Sequence, residues 1–251
     1  MLAFYLLCPT AQAGAGAGMR ARHSAQAAAA SSDPDALYRQ RENLDAARQA
    51  VAIWASRAAG GKDFESAWKL ARACYWIGTH GTEAERRAAL EQGVKAGEQA
   101  AAIEPARPNG HFWTAANMGA LAESYGLRQG LKYRGRIKDA LETVLKIDPA
   151  WQQGSADRAL GRWYFKVPGL FGGSDAKAEE HLRKALAHNP ESTATLYFLA
   201  EVLLDRGKKA DARAMLERAI AAPLDPEWAP EDRAFQEQAR VLLEKIKTTQ
   251  N

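Results

Sequence analysis

Four helix-patterned segments of this chain are each closed by proline, at Pro105, Pro149, Pro190 and Pro226, with spacings of 44, 41 and 36 residues. Recurrence at about 20 to 50 residues is the signature of a stacked helical array, in which each unit buries its apolar face only against its neighbours. Such arrays bind far more often than they catalyse. The spacing therefore restricts function as well as fold.

Apolar periodicity fills in the units. Leu37, Leu44, Val51 and Trp54 lie along one helical face that stops at Gly60-Gly61, giving a single first helix that caps the array. Asp63 caps a helix running through Trp68, Ala71 and Tyr75 to Gly78, and Thr82 with Glu85 forms a capping box for the next. Phe112, Trp113, Ala116 and Leu121 mark a further helix, and a loop rich in glycine and basic residues then leads to Ile137, Leu141 and Val144. Leu160-Gly161 with Tyr164, then Ala178, Leu182 and Ala185, alternate small and large residues as nested helices require, and Leu196, Leu199, Ala200, Leu203, Ala212, Leu216 and Ala219 repeat the plan. A last helix from Pro230 to about Lys247 covers the open end. No segment alternates with period two. The fold expected is all-α, a tetratricopeptide-like array of about ten helices wound into a superhelix over residues 35–248.

The first residues have a different character. Leu2 to Leu7 is a short apolar run followed by Pro9-Thr10-Ala11-Gln12-Ala13, which reads as a secretory signal over 1–13 cut after Ala13, and implies export to the periplasm or cell envelope. Residues 14–34 are rich in Ala, Gly and Ser without apolar period and read as a disordered tether. Cys8 stands where a lipid-attached cysteine could, but Leu7 before it is larger than bacterial lipoprotein signals use. Removal of Cys8 leaves Cys74 alone, a packed helix residue with no disulfide partner.

Motifs of chemistry are missing. There is no His-Glu-x-x-His, no paired-cysteine metal spacing, no Gly-x-Ser-x-Gly elbow and no phosphate loop. Ser174-Asp175-Ala176-Lys177 matches Ser-x-x-Lys but lacks its companion motifs, and Ser174 suits a helix N-cap. The expectation is a non-enzymatic protein without cofactor or metal. A net charge of +4 does not demand nucleic acid. The basic run of Arg128, Lys132, Arg134, Arg136 and Lys138 around Tyr133 could touch nucleic acid, but reads better as a solvated loop or a rim contact to an acidic protein. His181 and His188 read as surface residues without partners.

In an array of this kind the first helix of each pair lines the inner groove. Counting from Trp68, Trp113, Leu160 and Leu199 selects Lys69, Trp76, His111, Thr114, Met118, Arg158, Arg162, Phe165, Tyr197 and Glu201 as inward positions, with Trp76, His111, Thr114, Met118, Arg158, Arg162, Phe165 and Tyr197 as candidate binding residues. Arg158 and Arg162, four apart, share a face and suit a carboxylate or an acidic segment, unless they are solvated or paired with acids of neighbouring repeats. Trp76, Trp113, Trp163 and Phe165 either line the groove or pack between helices.

Residues Asn109 to Trp113, Arg158 to Tyr164, Val167-Pro168-Gly169, Gly172-Gly173-Ser174, Lys177-Ala178 and His181-Leu182 together resemble the TatT component of tetratricopeptide-repeat-associated TRAP transporters. The likeness spans roughly Leu37 to Pro226, and the Pro-Gly and Gly-Gly-Ser insertion is its most specific element. The resemblance implies a periplasmic, often lipid-anchored homotrimer that binds the solute-binding protein of a TRAP transporter, with a small organic ligand as a further guest. The sequence departs from it in lacking a good lipid-attachment motif. A general tetratricopeptide scaffold of the envelope is the alternative.

Overall fold

The computed structural model describes residues 33–248, so the expected signal over 1–13 and most of the expected tether over 14–34 lie outside the described residues. Eleven α-helices and one 3-10 turn, with no strand, make up the described chain. They are α1 (Pro34–Arg39), α2 (Leu44–Ala58), α3 (Phe64–His80), α4 (Glu83–Ile103), α5 (Pro108–Tyr125), α6 (Leu127–Ile147), α7 (Trp151–Lys166), α8 (Asp175–His188), α9 (Thr193–Asp205), α10 (Lys209–Ala221) and α11 (Ala229–Thr248). Pairs α3/α4, α5/α6, α7/α8 and α9/α10 stack in order, and each touches mainly its neighbours. The all-α tetratricopeptide-like array is the observed fold.

Local chemistry sets the helix ends. The side chains of Asn43, Asp63, Ser174 and Ser192 each accept a hydrogen bond from a backbone N–H in the first turn that follows. The Glu85 carboxylate accepts from the Thr82 N–H at 3.0 Å, closing the capping box. Small-against-large packing then sets the spacing of the helices. A Cβ on Gly161 would stand 2.5 Å from Leu182 Cγ, so only glycine lets α7 and α8 lie this close.

Three elements differ from the sequence expectation. The first helix is two, because Arg41 turns inward at the break and is 4% exposed, while Asn43 caps a fresh start. The basic loop before Ile137 is helical from Leu127 onward: Tyr133, Ile137, Leu141 and Val144 give one buried stripe that outweighs the helix cost of Gly130 and Gly135, about 1 kcal/mol each. Residues Gln152, Gln153 and Gly154 form a left-handed turn at the start of α7, with φ of 44°, 58° and 78°. Gly154 packs there against Ala185 and His188, where a Cβ would meet Ala185 Cα at 3.1 Å.

The superhelix winds far enough for its two ends to meet. Buried Arg41 donates to the Glu231 carboxylate and, at 2.7 Å, to the Glu227 carbonyl, and Arg233 pairs with Glu42 at 2.6 Å. Arg72, also buried, reaches Glu227 at 3.4 Å and lies over the Tyr38 ring at 4.3 Å. Residues about 190 apart in sequence thus fasten the N-terminal cap to the C-terminal helix.

Candidate functional site: the concave cavity

Winding and closure enclose a cavity of about 1290 Å³. Much of its wall comes from the first helix of successive pairs and from the last helix: Tyr75 on α3, Phe112, Trp113, Ala116, Gly119 and Glu123 on α5, Arg158, Arg162 and Trp163 on α7, Phe198 on α9, and Glu231 and Phe235 on α11, with Leu131, Arg134 and Ile137 of α6 and Val167-Pro168 after α7 completing it. This is the groove-lining role of first helices in such arrays. The residues fall at helical spacing on each element, so one stripe per helix faces inward.

The wall is aromatic and tightly keyed. Tyr75 meets Trp113 at 5.8 Å, Phe112 meets Trp113 edge-on at 5.2 Å, and Phe198 meets Phe235 edge-on at 5.3 Å. Burial pushes the Tyr75 hydroxyl up to about 12, so it remains a neutral donor across the physiological range. The Trp163 Nε1–H donates to the Arg134 carbonyl at 2.9 Å, which fixes that ring.

Two arginines on this wall are in opposite states. Arg162 donates to Glu123 at 3.0 Å and to Glu201, and its guanidinium lies 4.6 Å from the Phe198 ring. Burial pulls its pKa down, but the Glu123 and Glu201 carboxylates outweigh that, and the net shift is upward. Arg158, one helical turn earlier, is half-buried and lines the cavity with no hydrogen bond, ion pair or ring contact among the described residues. Burial lowers its pKa, opposed by Tyr75 and Asp232. A guanidinium stays charged at any physiological pH even so. The cavity therefore carries a cation with no direct partner in the chain.

The remaining sequence candidates lie elsewhere. Trp76 is buried under the N-terminal cap, donating from Nε1 to the Arg41 carbonyl at 2.7 Å and stacking on His80 at 3.6 Å. His111, Thr114 and Met118 face a shallow hollow of about 310 Å³ between α4, α5 and α6, beside Glu98 and Arg136. His111 Nε2 lies 2.9 Å from the Pro105 carbonyl, Thr114 donates to the Gly110 carbonyl at 2.7 Å, and Met118 is 1% exposed. On α5 the cavity stripe is thus offset by one residue from the expected one, running through Phe112, Ala116 and Glu123. Phe165 is half-buried against the core under Lys166. Tyr197 meets Phe235 at 5.8 Å with the rings tilted by 45°, Lys69 pairs with Asp35 at 2.9 Å, and Glu201 serves Arg162.

The histidines also differ from expectation. His181 is no lone surface residue: Nδ1 lies 2.7 Å from Asp157 Oδ1, and the ring stacks on Tyr164 at 5.3 Å. His188 lines the cavity beside the left-handed turn. Sequence reading missed both, and missed Glu231 and Phe235, because the faces of α8 and α11 are set by how far the superhelix winds. Cys74 is fully buried, and burial pushes its thiol up to about 12, leaving it unreactive. Among the described residues no group of three or more His, Cys, Asp or Glu gathers to hold a metal, and no helix is long and apolar enough to cross a membrane.

Comparison with known proteins bears on both halves of the chain. A family model described as Regulator of microtubule dynamics protein 1-3 matches residues 31–171, and a tetratricopeptide repeat model matches residues 176–230. Regulator of microtubule dynamics protein 1 of Caenorhabditis elegans is 25% identical over 200 residues, covering 71% of this chain and 83% of that protein. The crystal structure of a thermophilic tetratricopeptide protein of Thermus thermophilus superposes with a TM-score of 0.63 at 20% identity, covering 85% of this chain and 98% of that one. The tetratricopeptide character read from the repeats is shared with the repeat model and with the Thermus thermophilus structure.

Proposed function

The chain belongs to the regulator of microtubule dynamics protein 1-3 family, and on that premise we propose that it is a non-enzymatic interaction scaffold whose concave cavity captures a partner segment that is apolar along its length and carries a carboxylate. The observation that carries this reading is Arg158, a cation on an aromatic wall that makes no hydrogen bond or ion pair, with Asp232 acting on it only at a distance. An unpaired buried charge is costly to keep, and a ligand carboxylate would supply the missing hydrogen bonds. Tyr75, Trp113, Phe198 and Phe235 supply the apolar contact. Filling the cavity tests it. Gly119 lines the cavity and a Cβ there meets nothing within 4 Å, so Gly119→Leu is expected to keep the fold and crowd the cavity. Loss of captured partner with unchanged helicity supports the reading, and undiminished capture overturns it.

A finer role as the accessory component of a TRAP-type uptake system is favoured by one feature, the Val167–Ser174 insertion on which that resemblance rests. In that role the chain is exported to the periplasm, assembles as a homotrimer, and binds a solute-binding protein, with a small organic acid as a guest of the cavity. Affinity capture from an envelope extract discriminates. Recovery of a solute-binding protein supports the transport role, and recovery of a filament-forming protein points instead to the role the family description names.

A further inference from the structure

Two halves of the array face each other across the cavity. Helices α1 to α6 supply Tyr38, Tyr75 and Trp113 to its wall, and α7 to α11 supply Arg158, Phe198 and Phe235. The halves join on one side where α6 turns into α7. Packing between consecutive helices is thinnest there, and the left-handed turn of Gln152, Gln153 and Gly154 stands at that junction. Two non-glycine residues at positive φ hold local strain, and residues at the end of an element are the ones that absorb the rotation of a hinge. The Arg162–Glu123 pair and the bond from Trp163 to the Arg134 carbonyl cross the junction and keep it together as a pivot.

On the other side the first and last units meet along a seam. Helices α1, α2 and α3 make no extended packing with α11, and arginines carry the links across: Arg41 Nε donates to Glu231 at 3.0 Å, Arg72 reaches Glu227 at 3.4 Å, and Arg233 reaches Glu42 at 2.6 Å. Tyr38 on one side and Glu231 on the other both line the cavity, so the seam is part of its wall. It is loosely held. Arg72 Nε is buried with no hydrogen-bond partner. Burial raises the pKa of Glu231, and the bonds from Arg41 offset this only in part. A buried ion pair of this kind adds little net stability, and an exposed pair such as Arg233–Glu42 adds little as well.

A ring that stays closed admits only a free chain end threaded along its axis, whereas an internal segment of a folded partner needs an opening in the side. We propose that the arginine clasp is a gate: α7 to α11 swing about the α6–α7 turn, parting the seam to admit the partner segment sideways and re-forming it to retain that segment. The gate rests on the reading of the cavity as a capture site and adds the route by which that site is reached.

The test follows access to the cavity with no ligand present, so its failure is separate from a failure of the carboxylate reading. Gly119→Cys, in a full-length Cys8→Ser background with Cys74 buried, places a reactive thiol on the cavity wall, and pyrene maleimide, bulky and uncharged, reports how readily it is reached. Arg233→Glu sets like charges against each other at the seam and is expected to speed labelling about fivefold, the population change for losing one exposed ion pair. Adding Glu42→Arg restores the pair and the slow rate. Arg41→Gln removes the buried links and speeds labelling at least about tenfold. Unchanged circular dichroism confirms that each variant folds, and the exposed Arg233 and Glu42 swap decides alone should Arg41→Gln fail to fold. Equal rates throughout overturn the proposal. So does a fast rate that Glu42→Arg does not slow, which marks general loosening. Spin labels at Arg39→Cys and Glu237→Cys, exposed positions on α1 and α11, read the seam itself. A longer separation should grow in Arg233→Glu and retreat in the double variant, and a single unchanged separation across the series overturns the gate.

Discussion

The two sides of α5 are built on opposite terms. Toward α4 and α6, His111, Thr114 and Met118 face a hollow of about 310 Å³ whose polar groups answer one another: Thr114 bonds to Gly110, His111 to Pro105, and Arg136 to Glu98. Toward the axis of the superhelix, Phe112, Ala116, Gly119 and Glu123 face about 1290 Å³ of space in which Arg158 has no partner. The first side is closed packing and the second is a surface awaiting a ligand. Polar residues on a groove are thus poor guides to binding when each is already satisfied from within; the informative group is the one left unsatisfied.

Glycine substitutions break the comparison most forcefully. Gly110 lies on the closed side, where a Cβ would stand 2.4 Å from the Ala101 backbone nitrogen, and backbone cannot move aside as a side-chain tip can. Gly110→Ala is expected to destabilise by about 3 kcal/mol, read from denaturant midpoints, through overpacking. Gly119→Ala on the open side meets nothing within 4 Å and gains helix propensity, so it is neutral or stabilising by up to about 1 kcal/mol. Equal losses in both variants would erase the distinction.

Charge removal gives a smaller contrast. Arg162→Gln leaves Glu123 and the mostly buried Glu201 without their main partner and is expected to cost about 1–2 kcal/mol. Arg158→Gln removes a charge that makes no hydrogen bond or ion pair in the chain, and thermal melting should show a stability unchanged or raised by up to about 1 kcal/mol.

Glu179 sharpens the same point by pH. Burial acts to raise its pKa, and hydrogen bonds from Arg183 and Lys208 outweigh this and hold it below the ordinary value of 4.5. Arg206 donates to the same carboxylate. With the folded value depressed, its contribution is complete above pH 4.5 and fades as pH falls through the lowered value. The stability gap between wild type and Glu179→Gln should therefore be constant near neutrality and shrink in acid. A gap that widens in acid would contradict the assignment.

Much of this architecture was legible from the chain alone. Prolines, caps and the small-large alternation of Gly161, Leu182, Ala178 and Leu199 placed the helices, because those signals act between residues close in sequence or in adjacent helices. Of the cavity, Arg158 and Arg162 follow from repeat register, whereas Trp113 and Trp163 could be read from the sequence only as either groove lining or interhelical packing. What escaped depends on long-range geometry. Arg41 meeting Glu231, and Glu231 and Phe235 completing the wall, follow from accumulated superhelical rotation that no local pattern encodes. The offset of one residue on α5 has a similar cause, since an error of about 100° in one helix's rotation exchanges its closed and open sides. The left-handed turn at Gln152 to Gly154 breaks local preference and is held by contacts with α8.

The most direct test is the affinity of the cavity for a carboxylate. Peptides rich in Leu and Phe, with free or amidated C-termini, can be titrated calorimetrically against wild type, Arg158→Gln and Arg240→Gln, the last an exposed control beside Glu237. A free carboxylate should bind wild type about ten- to a hundredfold more tightly than the amide, and Arg158→Gln should abolish that difference while Arg240→Gln preserves it. Equal binding of acid and amide to wild type, or a preference for the acid that survives in Arg158→Gln, would contradict the account.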